Sequence, residues 1–278
     1  IPVAGSAYTY SYATMGELIA WTVGWALIME YAIAAAAVAV GWSGYFSGTI
    51  LNEFFGIYLP PALSAGPLVF GGAAGGVINL PALVIALLVT WLLIVGTSES
   101  AKVNAVLVAI KVVALTVFVG LTLTSPSFSI EKFNPFLPAG IFGGFGSGVG
   151  AVGAAATIFF AYVGFDSVST AAEETKNPQR NVPIGLIGSL LFCTLFYILV
   201  AAGAIGTLGG QPIMGPTGIP FPAGSEELAR QCALPQYSGQ LVCSGEALAH
   251  VLRVIGFSTI GNMLGIAAFL ALPSVILI

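Results

Sequence analysis

The sequence predicts an all-α membrane protein, and three observations carry that prediction. Charged residues make up 6% of the chain, where an ordinary soluble domain carries about 25%. Hydrophobic residues make up 58%, so a conventional solvated surface cannot be built. Several apolar runs reach the roughly 20 residues that a helix needs to cross a bilayer. Glycine (36 residues) and alanine run through these stretches rather than only between them, which suits helices packed closely through small residues in lipid. The net charge of −4 comes from few groups spread over loops and helices, and it offers neither a nucleic-acid surface nor a basic amphipathic anchor.

Length and breakers give about six spans: residues 16 to 46, 79 to 97, 102 to 123, 148 to 171, 182 to 206 and 258 to 278. Glycine and proline content marks the connections. These are the link 47 to 78, the tight turn near Gly96-Thr-Ser-Glu-Ser100, the Pro-rich stretch 124 to 147, the polar link 172 to 181 and the long loop 207 to 257. The last of these holds a short amphipathic helix around Glu246 to Ile255, whose His250 reads as interfacial rather than catalytic. The loop-like start Ile1-Pro-Val-Ala-Gly5, the lack of an initiator Met and an end within an apolar run read as a fragment.

Lys and Arg in short loops set orientation. Lys102, Lys176 and Arg180 crowd two short links, while Lys132, Arg230 and Arg253 are diluted over longer segments. The short links are therefore expected in the cytoplasm and the loop with Cys232 and Cys243 outside, where a disulfide between them becomes plausible. Cys193, in an apolar helix, is expected to pack as a small buried hydrophobe.

Three charged side chains lie deep in the spans: Glu30 near the middle of the first, Lys111 nine residues inside the third, and Asp166 inside the fourth. A charge at such depth costs on the order of 2.5–3.5 kcal/mol on insertion scales and usually faces a partner, a cavity or a transport path. Glu30 shares a helical stripe with Ala26, Ala34, Ala37 and Gly41, small residues that let a neighbour or a ligand approach. The residues alone admit two readings, a Glu–Lys or Asp–Lys bridge that orders the bundle, or a site completed by a proton or a cationic substrate.

The fourth span adds a second signal. Gly143, Gly144, Gly146, Gly148, Gly150 and Gly153 precede Phe159-Phe-Ala-Tyr-Val-Gly-Phe-Asp166. Gly164 stands where the backbone can open, and broken helices at membrane depth line cavities whose freed amides and carbonyls bind ions or charged groups. A continuous, glycine-rich packing helix is the alternative these residues leave open. An enzyme is excluded by what is missing: one Asp, one His and no His-Glu-x-x-His spacing cannot form an aspartate pair or a zinc site.

The order of motifs resembles the amino acid, polyamine and organocation transporter superfamily, in particular its cationic amino acid transporter branch. The matching pieces begin with Pro2-Val-Ala-Gly-Ser-Ala-Tyr8, Gly16-Glu-Leu18, Gly24-Trp-Ala-Leu-Ile-Met-Glu-Tyr31 and Trp42-Ser-Gly-Tyr45. They continue with Glu99-Ser-Ala-Lys-Val-Asn104, Ile110-Lys-Val112, Asn134-Pro-Phe-Leu-Pro138, Phe160-Ala-Tyr-Val-Gly-Phe-Asp166 and Glu173-Glu-Thr-Lys-Asn-Pro-Gln-Arg180.

The resemblance implies a partial LeuT-like inverted-repeat bundle, one incomplete transporter domain over residues 1 to 278 that corresponds to the family's third to eighth helices. It also implies a secondary permease of the plasma membrane that takes an amino acid by alternating access, is proton-linked or works by uniport or exchange rather than sodium coupling, sits among lipids, and needs no cofactor or metal. Cationic amino acids are the implied substrates, with polyamines, small neutral amino acids or a non-transporting sensor as alternatives. By the same likeness Phe160, Ala161, Tyr162, Val163, Gly164 and Phe165 match the broken sixth helix, with Phe160 as lid. Asp166 would sense a substrate charge or a proton, and Ala34 would line the pocket. Lys111 would place an ammonium where sodium-coupled relatives hold sodium, with Glu30 balancing charge.

Overall fold

Helices are the regular elements of this chain, with one isolated β-bridge between Met214 and Pro220 among the described residues. The computed structural model describes residues 6–64, 66, 76–95, 101–137, 140–142, 150–164, 175–210, 212–216, 220–221, 226–232, 234–237 and 239–276. The chain divides into two compact units, residues 1–34 with 155–198, and residues 35–154 with 199–278. Four segments, Glu17–Phe54, Ala105–Leu123, Pro178–Leu208 and Ser258–Ile276, are long and apolar enough to cross a membrane, and Leu80–Val95 is a shorter apolar helix. The chain is thus an integral, multi-pass, all-α membrane protein. Its many exposed Leu, Ile, Trp and Phe side chains suit lipid, which is as apolar as they are.

Helix α1 (Ser6–Met15) was not foreseen and ends at Gly16, whose φ of +88° turns the chain into α2 (Glu17–Tyr45). The first predicted span is longer than its sequence reading. Tyr45 passes directly into a π-helix, Phe46–Phe54, in a region read as the start of a Gly/Pro-rich link. Gly48 is not a breaker here: a Cβ on it would run into the Glu246 carboxylate, so the position demands a missing side chain rather than a flexible backbone. The short α3 (Pro61–Ser64) follows.

In the larger unit, Asn79 caps α4 (Leu80–Val95) by accepting from the Ala82 amide at 3.1 Å and donates to Ser43 Oγ at 2.8 Å. One core joins α2 to α4 and the chain's last helices: Trp42, Ala39, Ala82, Ile85 and Val89 are buried, with Phe269, Leu272 and Ile276 packed against them. Trp42 stacks on Phe46 and Phe269, ring centroids 5.1 Å away in each case, and its indole N–H donates to the Phe269 carbonyl at 2.9 Å. A buried indole thereby meets its donor requirement.

The second core centres on Phe118 of α5 (Ala101–Leu123), with Ala204, Ala249, Val251, Leu252 and Leu264. Helix α6 (Ala151–Phe159) is followed by the 3₁₀ turn Phe160–Tyr162. Helix α7 (Pro178–Leu208) starts four residues before its sequence reading because Pro178 is pre-set for a first turn. Its last carbonyls are met by Lys132, which donates to Thr207 O and, at 2.7 Å, to Ser127 O.

The loop predicted over 207 to 257 carries α8 (Glu226–Cys232) and the amphipathic α9 (Ala247–Val254), which matches the expected helix to within a residue at each end. Its Ala249, Val251 and Leu252 are buried. The last span is α10 (Ser258–Ala271), and Pro273 opens α11 (Pro273–Ile276). Cys193 departs from expectation: it is exposed on α7 rather than packed, because small residues on an apolar helix can face lipid as readily as a neighbour.

Candidate functional site

Among the described residues of the expected fourth span, the α-helix does not continue past Phe159. α6 gives way to the 3₁₀ turn Phe160–Tyr162, Val163 and Gly164 form a turn, and Gly164 sits at φ +99° with no atom within 4 Å of where a Cβ would lie. That left-handed conformation suits glycine and breaks the α-helical hydrogen-bond ladder.

The orphaned backbone is served by α7. Tyr197 donates its hydroxyl to the Ala161 carbonyl at 2.8 Å. Tyr162 and Thr194 meet oxygen to oxygen at 2.8 Å. Thr194 spends its own proton on the Leu190 carbonyl at 2.7 Å, so Tyr162 is the donor in that pair. The two tyrosine rings pack edge to face, with centroids 5.3 Å apart and planes at 78°. Among the predicted residues Ala161 is exposed and Tyr162, Val163 and Gly164 are half-buried. Phe165, Asp166 and the side chain of Phe160 lie outside the described residues.

Lys111 occupies a different setting, in the larger unit. Its ammonium donates to Ser274 Oγ at 2.8 Å, and Ser274 in turn donates to the Ala271 carbonyl at 2.7 Å. It borders a cavity of about 250 Å³ whose wall includes Tyr45, Leu248, Leu264 and Leu272. Glu30 and Ala34 lie one turn apart on α2, both half-buried, in the smaller unit. Ala26, Ala37 and Gly41 of their expected stripe are exposed.

A polar cluster that the sequence reading missed ties the π-helix to α9 and α10. Arg253 forms an ion pair with Glu246 at 2.6 Å and donates to Asn262 Oδ1 at 2.8 Å and Thr49 Oγ1 at 3.0 Å. Thr49, fully buried, donates to Glu246 Oε2 at 2.5 Å. The charges are thus half-buried and paired with each other, with Thr49 and Asn262 adding hydrogen bonds. Near it, Cys232 and Cys243 form a disulfide, Cα atoms 5.3 Å apart, and His250 Nε2 lies 3.0 Å from the Gly239 carbonyl.

Tyr197, Thr194 and Ser274 also escaped the sequence reading. The usable signal was a hydroxyl inside an apolar run, where an unmet polar atom is costly and a partner has to be found.

Residues 1–268 match the family described as amino acid permease. The chain is 46% identical over 211 residues to a branched-chain amino acid permease of Bacillus subtilis (strain 168), covering 75% of this chain and 42% of that protein. It is 45% identical over 203 residues to a methylthioribose transporter of the same organism, covering 72% and 41%. With the vacuolar cationic amino acid transporter 4 of Arabidopsis thaliana it shares 37% identity over 205 residues, covering 74% and 33%. The chain therefore spans less than half the length of these relatives, which are permeases and transporters rather than enzymes. With the family match over residues 1–268 and these identities, this chain belongs to the amino acid permease family, within the amino acid, polyamine and organocation superfamily.

Proposed function

We propose that this chain is part of a secondary amino acid transporter of the plasma membrane that works by alternating access, with proton-linked or uniport and exchange movement rather than sodium symport. The observation that carries the reading is the 3₁₀ turn Phe160–Tyr162 followed by Gly164 at φ +99°, a departure from the α-helical ladder inside a run that the sequence reads as a span. Backbone groups at such a departure suit the ammonium and carboxylate of a zwitterion. Ala161, Tyr162, Val163 and Gly164 supply backbone to that subsite. Ala34 is assigned to the pocket wall, Phe160 and Phe165 to its aromatic cover, and Asp166 to the substrate's side-chain charge or a proton. Lys111 contributes a fixed positive charge that disfavours a bound sodium ion, with Glu30 in charge balance.

Cationic amino acids are the favoured substrates on the strength of Asp166, a carboxylate within the fourth span. A neutral, branched-chain substrate is the second reading. It is favoured by similarity to permeases named for branched-chain amino acids in two organisms, at 46% and 35% identity.

The test is radiolabelled uptake into proteoliposomes by the full-length protein, with L-arginine, L-lysine and L-leucine compared. Saturable arginine and lysine uptake that survives sodium removal supports the first reading. Leucine uptake unaffected by excess arginine selects the second, and no saturable uptake of any of the three removes both. Uptake that persists after collapse of the proton gradient but vanishes without sodium would overturn the proposed coupling.

A further inference from the structure

Tyr197 stands apart from the residues that the motif order brings to the interruption. It lies on α7, 36 positions beyond Ala161, yet its hydroxyl takes the Ala161 carbonyl at 2.8 Å. Thr194 and Tyr197, three residues apart, share one face of α7 and bring two hydroxyls to the 3₁₀ turn. The bond from Tyr162 to Thr194 anchors the turn's side chain, and the bond from Tyr197 anchors its backbone. The edge-to-face contact of the two rings limits how far the Tyr197 hydroxyl can swing.

We propose that Tyr197 is a positioning residue for the substrate's ammonium group, acting by fixing the direction of the Ala161 carbonyl. The proposal rests on the reading that the interruption binds an amino acid, and it adds a residue outside the interrupted segment. A carbonyl oxygen has two lone pairs, so the bond from Tyr197 is compatible with a second, N–H donor. Aiming that second lone pair in advance spares the site the cost of ordering it when substrate arrives. A hydroxyl from a neighbouring helix also lets the turn keep its non-helical shape in the empty site, where an unmet carbonyl would otherwise be costly.

The experiment is equilibrium binding to the full-length protein in nanodiscs, with L-leucine and L-arginine as probes. Each is compared with its analogue lacking the amine, 4-methylpentanoate and 5-guanidinopentanoate. Tyr197→Phe keeps the ring contact and removes the donor. It is expected to weaken binding of the bound amino acid about five- to tenfold and to leave its amine-free analogue unchanged. Thr194→Val, which removes the Tyr162 bond and the local bond to the Leu190 carbonyl but leaves the bond from Tyr197 to Ala161, is expected to retain the preference for the amine.

Equal weakening of amino acid and analogue by Tyr197→Phe, or no change in either, would overturn the assignment while leaving amino acid binding itself intact. Failure of the wild-type protein to bind either amino acid would instead remove the underlying reading. Should Tyr197→Phe not fold, Tyr197→Leu takes its place: it also removes the donor, and equal weakening of amino acid and analogue in that folded variant would overturn the assignment.

Discussion

The Arg253 guanidinium reaches Glu246 Oε1 at 2.6 Å, with both side chains at 16% and 13% exposure respectively. Because Arg253 also donates to Thr49 and Asn262, the pair is the hub where the π-helix, α9 and α10 meet. Removing one partner would leave the other half-buried and uncompensated. Arg253→Ala is therefore expected to cost on the order of 2 kcal/mol, read as a lowered melting temperature in detergent. Arg253→Lys should recover only part of this, since an ammonium cannot reproduce the fork that serves three partners. A melt indistinguishable from wild type for Arg253→Ala would show that the cluster contributes nothing to holding the loop.

The approach of α10 to the π-helix depends on Gly265. A Cβ there would come within 2.7 Å of Thr49 Cγ2, and Thr49 is fully buried with nowhere to retreat. Gly265→Ala is expected to destabilise the protein by about 1–3 kcal/mol. In the double variant with Thr49→Ala the two costs should not add, because the second change clears the space that the first needs. Strict additivity in thermal melts would rule out the contact as the cause.

These two sites also show what the sequence made legible. The existence of spans followed from apolar length, whereas a break near Gly164 was implied by the family resemblance, the residues alone leaving a continuous packing helix open. The π-helix was not foreseen: Gly48, Asn52 and Glu53 read as loop residues, although Gly48 is the position where Glu246 must pass close by. The cluster around Arg253 was hidden for a different reason. Thr49 and Arg253 are 204 positions apart, and nothing in local periodicity links them. Tyr197 reads locally as one more residue of an apolar helix, and only the break it serves gives its hydroxyl a purpose. Asp166, the carboxylate expected inside the fourth span, lies outside the described residues.

The disulfide permits a test of orientation. If the short links that carry Lys102, Lys176 and Arg180 are cytoplasmic, the Cys232–Cys243 loop faces outward. In a Cys193→Ala background, expected to be near neutral because Cys193 is exposed, mild reduction of intact cells should open both thiols to a membrane-impermeant maleimide. Labelling seen only after the cells are permeabilised would invert the assigned topology. Cys232→Ser should lower stability by about 2–3 kcal/mol, as expected for a closed loop of this order.

Lys111 and Ser274 offer the most direct test of coupling. The ammonium has a hydroxyl oxygen for a partner at 2.8 Å, and Ser274 is itself buried and committed to the Ala271 carbonyl. A neutral partner satisfies a hydrogen bond without cancelling a charge, so the cationic form of Lys111 remains able to respond to what enters the neighbouring cavity. Lys111→Ala in the full-length protein is expected to flatten the pH dependence of uptake while the protein still purifies as a folded species. Ser274→Ala removes only the hydroxyl and should shift the pH profile without abolishing it. An unaltered pH profile in Lys111→Ala would sink the coupling role, and the lysine would then stand as a structural tether between α5 and α11.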